Sequence, residues 1–303
     1  MVQAQLSAAQ WAQQVMAQVG REVLDKEETV RWMLAAILAG GHVLLEDIPG
    51  VGKTTLALAL SKALGLSFGR VQFTPDVMPS DVVGYTMPLD GKMVYQPGAV
   101  MCNLLLADEL NRAPARTQSA LLEAMEEGQV TVDGGCHPLP RPFVVIATQN
   151  PLGAAGTQPL PDSQLDRFAL RLRLGYPAKT AERQLLLREE YTAQQITTAE
   201  QLLQMQEAVA KTYICDAVAE YIVALMAATR KDGRILRGAS PRATLSVAAV
   251  AKAWAQIQGR DYVIPEDVQQ AFLRCVPHRI LAQGDATARV RRILARVGRP
   301  KLW

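Results

Sequence analysis

The sequence predicts an α/β domain built on a parallel sheet, followed by an all-α domain. Three observations predict it. Short apolar runs alternate with helical periodicity over the first half of the chain, a glycine-rich turn joins the first run to a helix, and strand-like runs vanish after Tyr176-Pro177. The 303 residues suffice for two domains of roughly 100–200 each, with the boundary placed near Gly175–Thr180, giving 1–177 and 178–303.

His42–Glu46 (HVLLE) reads as a buried strand ending in the glycine turn, and Thr54–Leu64 as the helix after it. Further strands are expected at Arg70–Phe73, Asn103–Ala107 (NLLLA), Phe143–Thr148 (FVVIAT) and Ala169–Leu174. Strands separated by helices imply a parallel sheet covered on both faces. Asp81–Gly98 reads as an insertion with a hairpin turn at Asp90-Gly91, and a second hairpin is expected around Asp133-Gly134-Gly135. Beyond the boundary, helices are expected over Thr180–Glu190, Thr198–Lys211, Ala217–Thr229, Pro241–Ile257 and Pro265–Leu273. Ser240 suits the N-cap of the fourth, with Pro241 at its first position.

Composition bounds the function classes. Apolar residues make up 49% and charged ones 20%, which fits a core-forming chain and not a disordered one. A net charge of +3 argues against nucleic acid or an anionic membrane as the principal partner, so Arg289, Arg291, Arg292 and Arg296 read as a solvated helix face. The four cysteines (Cys102, Cys136, Cys215, Cys275) form no C-x-x-C pair and only three histidines accompany them, leaving little for a zinc site. Each cysteine reads as a small buried hydrophobe in a reducing cytosol. The opening MVQAQLSAAQWAQQ lacks the pattern of a signal peptide, and the most apolar early stretch, Trp32–Leu45, is shorter than a bilayer span and interrupted by Gly40, Gly41 and His42. A cytoplasmic protein with no membrane segment is the expectation.

Asp47-Ile48-Pro49-Gly50-Val51-Gly52-Lys53-Thr54 follows a strand and opens a helix, the context of a phosphate-binding loop. Backbone N–H groups from Gly50 to Thr54 suit phosphate oxygens, aided by the helix N-terminus. Lys53 supplies charge for the β- and γ-phosphates and Thr54 a hydroxyl for Mg²⁺, so ATP and Mg²⁺ are the expected cofactors, with Pro49, Val51 and Thr55 completing the binding segment. Asp47 stands where such loops begin with glycine, and its carboxylate is expected to point away from the triphosphate.

Asn103–Glu109 is an apolar strand ending in two carboxylates, about 50 residues after the loop. Asp108 suits Mg²⁺ through its water shell, and Glu109 suits polarising a water for attack on the γ-phosphate. Asn150, at the tip of the next strand, is a candidate to orient that water. Arg167 either pairs with Asp166 on the surface or reaches a neighbouring subunit's γ-phosphate as an arginine finger. Arg242 opens a helix, where a cation is unfavourable, and so calls for a compensating anion such as nucleotide phosphate.

Taken together, LLEDIPGVGKTTLA (44–57), VQFTPDVMPSDVVG (71–84), LLADELNRAPARTQSALLEAMEEGQVTVDG (105–134), VIATQNPLGAAGTQPLPDSQLDRF (145–168) and GASPRATL (238–245) resemble the MoxR family of AAA+ ATPases, from about Val19 to Val268. The resemblance implies a P-loop αβα core with a five-stranded parallel sheet and a helical lid, with insertions that match 81–98 and 128–140. It implies Walker A roles for Lys53 and Thr54, Walker B roles for Asp108 and Glu109, sensor 1 for Asn150, an arginine finger at Arg167 and sensor 2 at Arg242. It places Val19 and Gly20 at the adenine pocket and Gln72 where it would hold Glu109 inactive. Leu110 stands where the family usually has isoleucine, and the Arg-rich tail after Pro277 does not match. The function implied is a hexameric, chaperone-like ring that remodels a protein client, often with a partner carrying a von Willebrand factor A domain. ATP would lie between core and lid, with Arg242 reporting from the lid and Arg167 coming from the neighbour. The alternatives are a nucleotide-dependent switch with little hydrolysis, the motor of a magnesium-chelatase-like complex, and a DNA motor, which the near-neutral charge disfavours.

Overall fold

The computed structural model describes residues 6–150, 158–187 and 191–300. Residues 151–157 of the fourth family-like stretch, and the end of the helix expected to reach Glu190, lie outside them. Two helices, α1 (Ala8–Glu22) and α2 (Glu27–Leu38), come first. There follow β1 (His42–Glu46), α3 (Lys53–Leu64), β2 (Phe68–Gln72), α4 (Pro79–Val83) and the hairpin of β3 (Gly84–Leu89) with β4 (Lys92–Pro97). Next are β5 (Leu104–Asp108), a 3₁₀ turn (Leu110–Arg112), α5 (Ala115–Glu127), the hairpin of β6 (Gln129–Val132) with β7 (Gly135–Pro138), β8 (Val144–Gln149), α6 (Asp162–Leu165) and β9 (Phe168–Leu172). The second half holds α7 (Lys179–Leu187), α8 (Ala199–Ala210), α9 (Asp216–Lys231), β10 (Ile235–Arg237), α10 (Pro241–Ile257), α11 (Pro265–Cys275), β11 (Leu281–Ala282) and α12 (Ala286–Arg296).

The five predicted strands form one parallel sheet in the order β2-β5-β8-β1-β9. Its central strands are buried on both faces, which is why they read as unbroken apolar runs. Val43, Leu45, Leu104, Leu106, Val144 and Ile146 face one core, and Leu44, Leu105, Ala107, Val145 and Ala147 face the other. The pairings Ala107↔Ala147, Glu46↔Gln149 and Gln72↔Asp108 bring the carboxyl ends of β1, β2, β5 and β8 to one edge. Ligands of open α/β sheets bind at such an edge.

Both predicted hairpins are present. Their turns use positive φ at paired positions, Asp90 (50°) with Gly91 (77°) and Asp133 (48°) with Gly134 (80°), the geometry of the tight primed turns. The hairpins lean on each other through a Tyr95–His137 ring stack at 3.7 Å and a hydrogen bond from Thr86 to Asp133.

Three features depart from the sequence reading. The second half is not purely helical, because β10 and β11 pair as a short antiparallel ribbon. Cys136 lies exposed on β7 and Cys215 is half-buried; only Cys102 and Cys275 are buried. Finally, α1 and α2 are elements the sequence reading did not define. They pack on α3, α8 and α10, so one apolar core runs continuously from the sheet into the helical region. Trp32 of α2 stacks on Trp254 of α10 at 3.7 Å and 1°, with the Arg274 guanidinium 4.1 Å from the Trp32 ring centroid. Among the described residues no helix is long and apolar enough to cross a membrane.

His42 at the start of β1 is buried. Its Nδ1 accepts from the Val145 N–H at 3.0 Å, which leaves Nε2 to donate to the Met125 carbonyl at 3.2 Å. Burial lowers its pKa to about 4, against a weaker opposing effect of the Met125 bond. The unfolded chain therefore binds more protons between about pH 6.5 and 4, and stability falls as pH drops through that window, by roughly 3 kcal/mol from this residue. His42→Gln is expected to flatten that part of the pH dependence in urea unfolding; an unchanged slope would contradict the assignment.

Candidate nucleotide-binding site

Gly50 (φ 83°) and Gly52 (φ 91°) both occupy the left-handed region that glycine enters without a steric cost, and Gly52 directly precedes α3. Such a turn gathers successive N–H groups at a helix N-terminus. Lys53 is buried, and its Nζ donates to the Asp47 carbonyl at 2.8 Å. Burial lowers the Lys53 pKa, opposed by the charges of Asp108, Asp47 and Glu109. The Asp47 carboxylate turns away from the loop: Oδ2 accepts from the Leu174 and Gly175 N–H groups at 2.7 and 2.6 Å, and Oδ1 from Ile48 at 3.0 Å. The residue that departs from the usual loop pattern thus anchors the loop to the chain after β9.

Pro49, Gly50, Gly52, Lys53, Thr54 and Thr55 line a cleft of about 380 Å³, and Arg70, Asp108, Glu109 and Asn150 close it. Val51 tucks half-buried against the apolar core instead. Val19 is fully buried in that core on α1; neither it nor Gly20 borders the cleft, although open space stands where a Gly20 side chain would be.

The acidic pair diverges at the end of β5 because Glu109 adopts a left-handed φ of 57°. Asp108 Oδ1 accepts from Thr148 Oγ1 at 2.7 Å, and Oδ2 from Arg70 Nη2 at 2.9 Å. Glu109 Oε1 accepts from Asn150 Nδ2 at 2.9 Å, and Oε2 from Arg112 Nη1 at 2.8 Å. The Arg112 hydrogen bond, joined by that of Asn150 and working against burial, holds the Glu109 carboxyl below its ordinary range. The side-chain oxygen of Asn150 is buried without a partner, an acceptor available to a water. Gln72 accepts from Arg70 at 3.3 Å, and the side chain that meets Glu109 Oε2 is Arg112.

Arg167 and Arg242 lie elsewhere. Arg167 donates from Nε and Nη2 to Glu126 Oε2 at 2.9 and 2.8 Å, and Arg242 bonds Glu126 Oε1. Together they line a second cleft, of about 410 Å³, that shares no lining residue with the first. Arg242 is therefore not poised over its own chain's P-loop, and the compensating anion for this first-turn cation is a carboxylate. Against burial, the two arginines hold the Glu126 carboxyl below its ordinary range. Asp166 does not pair with Arg167. It accepts from Ser240 Oγ at 2.8 and 3.1 Å, and its carbonyl accepts from the buried Arg279 at 3.0 Å. Ser240 also caps α10 by accepting from Ala243 at 3.0 Å.

The family model described as "ATPase family associated with various cellular activities (AAA)" matches residues 42–170, and one described as "AAA lid domain" matches 227–296. Chaperone MoxR1 of Mycobacterium tuberculosis is 41% identical over 285 residues, covering 89% of this chain and 76% of that protein. This chain belongs to the MoxR family of AAA+ ATPases. The Bacillus subtilis protein YeaC is 44% identical over 275 residues, covering 88% of this chain and 86% of its own. A crystal structure of a Cytophaga hutchinsonii protein superposes with a TM-score of 0.88 at 36% identity over 97% of both chains.

As in other AAA+ proteins, the fold is an α/β P-loop core followed by a helical lid. The Thr54 hydroxyl and the Asp108 carboxylate border one cleft, and an oxygen-only donor set fits Mg²⁺ that keeps most of its waters. The sequence reading did not identify Arg70, Glu126 and Arg279, which line these clefts, or Arg112 and Thr148, which bond Glu109 and Asp108. Arg112 lies three residues after Glu109 and was detectable as a local pair; the others meet their partners only through the fold.

Lys53→Ala is expected to abolish tight ATP binding by calorimetry. Asp47→Ala is expected to destabilise the protein by about 2 kcal/mol, because it strands the N–H groups of Leu174 and Gly175, while leaving nucleotide binding measurable. Loss of stability without any loss of binding in Lys53→Ala would contradict the assignment of the cleft.

Proposed function

We propose that this MoxR-family protein is a Mg²⁺-dependent ATPase that works in the cytoplasm as a hexameric ring and remodels protein clients.

 The single observation that carries this reading is the grouping of Arg167 with Arg242 on Glu126, in a cleft separate from the Lys53 cleft of the same chain. Cations of this kind stabilise charge on a transferring phosphoryl group, and the site within one chain lacks both. A neighbouring subunit supplies them in this reading, so each active site is completed by assembly, and Arg242 acts across the interface together with Arg167.

Within one chain the roles divide by geometry. The N–H groups of Gly50 to Thr54 and the Lys53 ammonium hold the phosphates. Thr54 and Asp108 would hold the metal, which when bound neutralises phosphate charge. Asn150 keeps the Glu109 carboxylate aimed and offers its free oxygen to the attacking water, and Glu109 takes the proton of that water. Glu109 acts as a base only when its Arg112 partner loosens, which gives assembly a point of control. Glu126 holds Arg167 and Arg242 side by side until a neighbour's nucleotide competes for them. The Asp166–Ser240 and Asp166–Arg279 contacts tie these arginines to the lid, so a shift of the lid moves both.

The paired hairpins are the proposed client surface. Leu89 and Met93 stand more than half exposed on β3 and β4, as do Tyr85 at the base of β3 and Met78 just before α4. Flexible, apolar side chains of this kind suit varied protein segments. The family resemblance and the name of the M. tuberculosis relative support chaperone-like work, and the resemblance supports a partner carrying a von Willebrand factor A domain. A second reading, a nucleotide switch with little hydrolysis, draws on the engagement of both acids by arginines.

Steady-state ATP hydrolysis per protomer, measured over a wide range of protein concentration, separates the two readings. Specific activity is expected to rise with concentration, and Glu109→Gln to keep ATP binding while losing turnover. Arg167→Ala is expected to lower turnover on the order of 10³-fold with little change in affinity. Equal turnover in Glu109→Gln and the unsubstituted protein would sink the mechanism, and no turnover in either would favour the switch.

A further inference from the structure

Asp108 has both carboxylate oxygens engaged. Thr148 occupies Oδ1 from inside the protein, and Arg70 occupies Oδ2 from the cleft. Arg70 extends from β2, where Gln72 steadies the same guanidinium nitrogen at 3.3 Å. The two contacts differ in kind. The Thr148 hydroxyl is fully buried between β5 and β8 and also receives the Glu109 N–H at 2.8 Å, so it belongs to the frame. The Arg70 side chain is 46% exposed and borders the cleft alongside Lys53 and Thr54. An ion pair at that exposure contributes little to stability and is easily exchanged for another partner.

Asp108 cannot give the same oxygen fully to Arg70 and to the water shell of a metal. The backbone that carries Arg70 is fixed at the cleft wall by the pairing of β2 with β5, so a guanidinium released from Asp108 remains within reach of the cleft. There it is a second cation beside Lys53, and its planar fork matches phosphate oxygens. A triphosphate brings one more negative charge into the cleft than a diphosphate does.

We infer that Arg70 is an exchangeable cation of the nucleotide site: it competes with Mg²⁺ for Asp108 and, once displaced, binds the terminal phosphate, so that it discriminates ATP from ADP. The inference rests on the cleft being the Mg²⁺–nucleotide site.

The test uses the full chain and calorimetric titration with ADP and with the slowly hydrolysed analogue ATPγS, both in Mg²⁺. Arg70→Ala is expected to weaken ATPγS by about tenfold or more and to leave ADP within about twofold. Arg70→Lys, which keeps the charge but not the fork, is expected to fall between. In a parallel titration, Mn²⁺ is expected to bind the ADP complex of Arg70→Ala more tightly than that of the unsubstituted protein. Equal weakening of both nucleotides, or none, would overturn the proposal, as would unchanged Mn²⁺ affinity. Lys53→Ala separates the levels: if it leaves both nucleotides bound as before, the assignment of the cleft fails, whereas if it alone loses them, only the role of Arg70 fails. Thermal melting checks that each variant is folded; should Arg70→Ala melt early, Arg70→Gln carries the same comparison.

Discussion

The Thr148 hydroxyl donates to Asp108 and accepts from the backbone of Glu109, and both contacts depend on the parallel pairing of β5 with β8. A shift of one residue in that pairing would turn Thr148 to the other face of the sheet and leave the acidic pair without its frame. Because β1 pairs with the opposite edge of β8, the same register also sets the phosphate loop beside Asn150. The apolar runs of the three strands therefore do more than fill a core. They align three short chain ends, and the chemistry sits where those ends meet.

A second constraint separates the arginines from the loop they are expected to serve. α5 carries Glu126 to a cleft beside His42 and Ala169, near the starts of β1 and β9, and α10 brings Arg242 to it from the lid. Asp166 is drawn off by Ser240 and the enclosed Arg279, which leaves Arg167 for Glu126. The lid is in turn seated on the N-terminal helices through Trp32 and Trp254. Core, lid and N-terminal helices form one packed body in which the two clefts are held apart.

Much of this was legible in the sequence. The central strands of the sheet were visible because burial on both faces leaves mostly apolar runs, and both hairpins were marked by Asp-Gly turns. β2 begins at Phe68, two residues before the expected start, because Phe68 and Gly69 pair with Leu104 and Leu105; Gly69 masks this in the sequence, and it lies where any side chain would meet Cys102 and the Ala99 carbonyl. α1 carried a readable spacing in Trp11, Val15 and Val19, whereas α2 is apolar around most of its surface and has no single face to detect. The loop, the acids and Asn150 were legible because each stands at the end of a strand. Arg70, Glu126 and Arg279 were not, since their partners lie 38, 41 and 113 residues away and no local pattern links them.

The central claim is that a complete site needs two chains, one giving the phosphate loop and the other Arg167 and Arg242. Mixing Lys53→Ala with Arg167→Ala protein tests it most directly, since each variant alone is inactive in this account. Mixed assemblies would contain sites pairing an intact loop with an intact Arg167, so ATP hydrolysis should reappear and peak near equal proportions. A mixture as silent as its components, with mixed assembly verified by mass measurement, would contradict the shared site and place catalysis within a single chain.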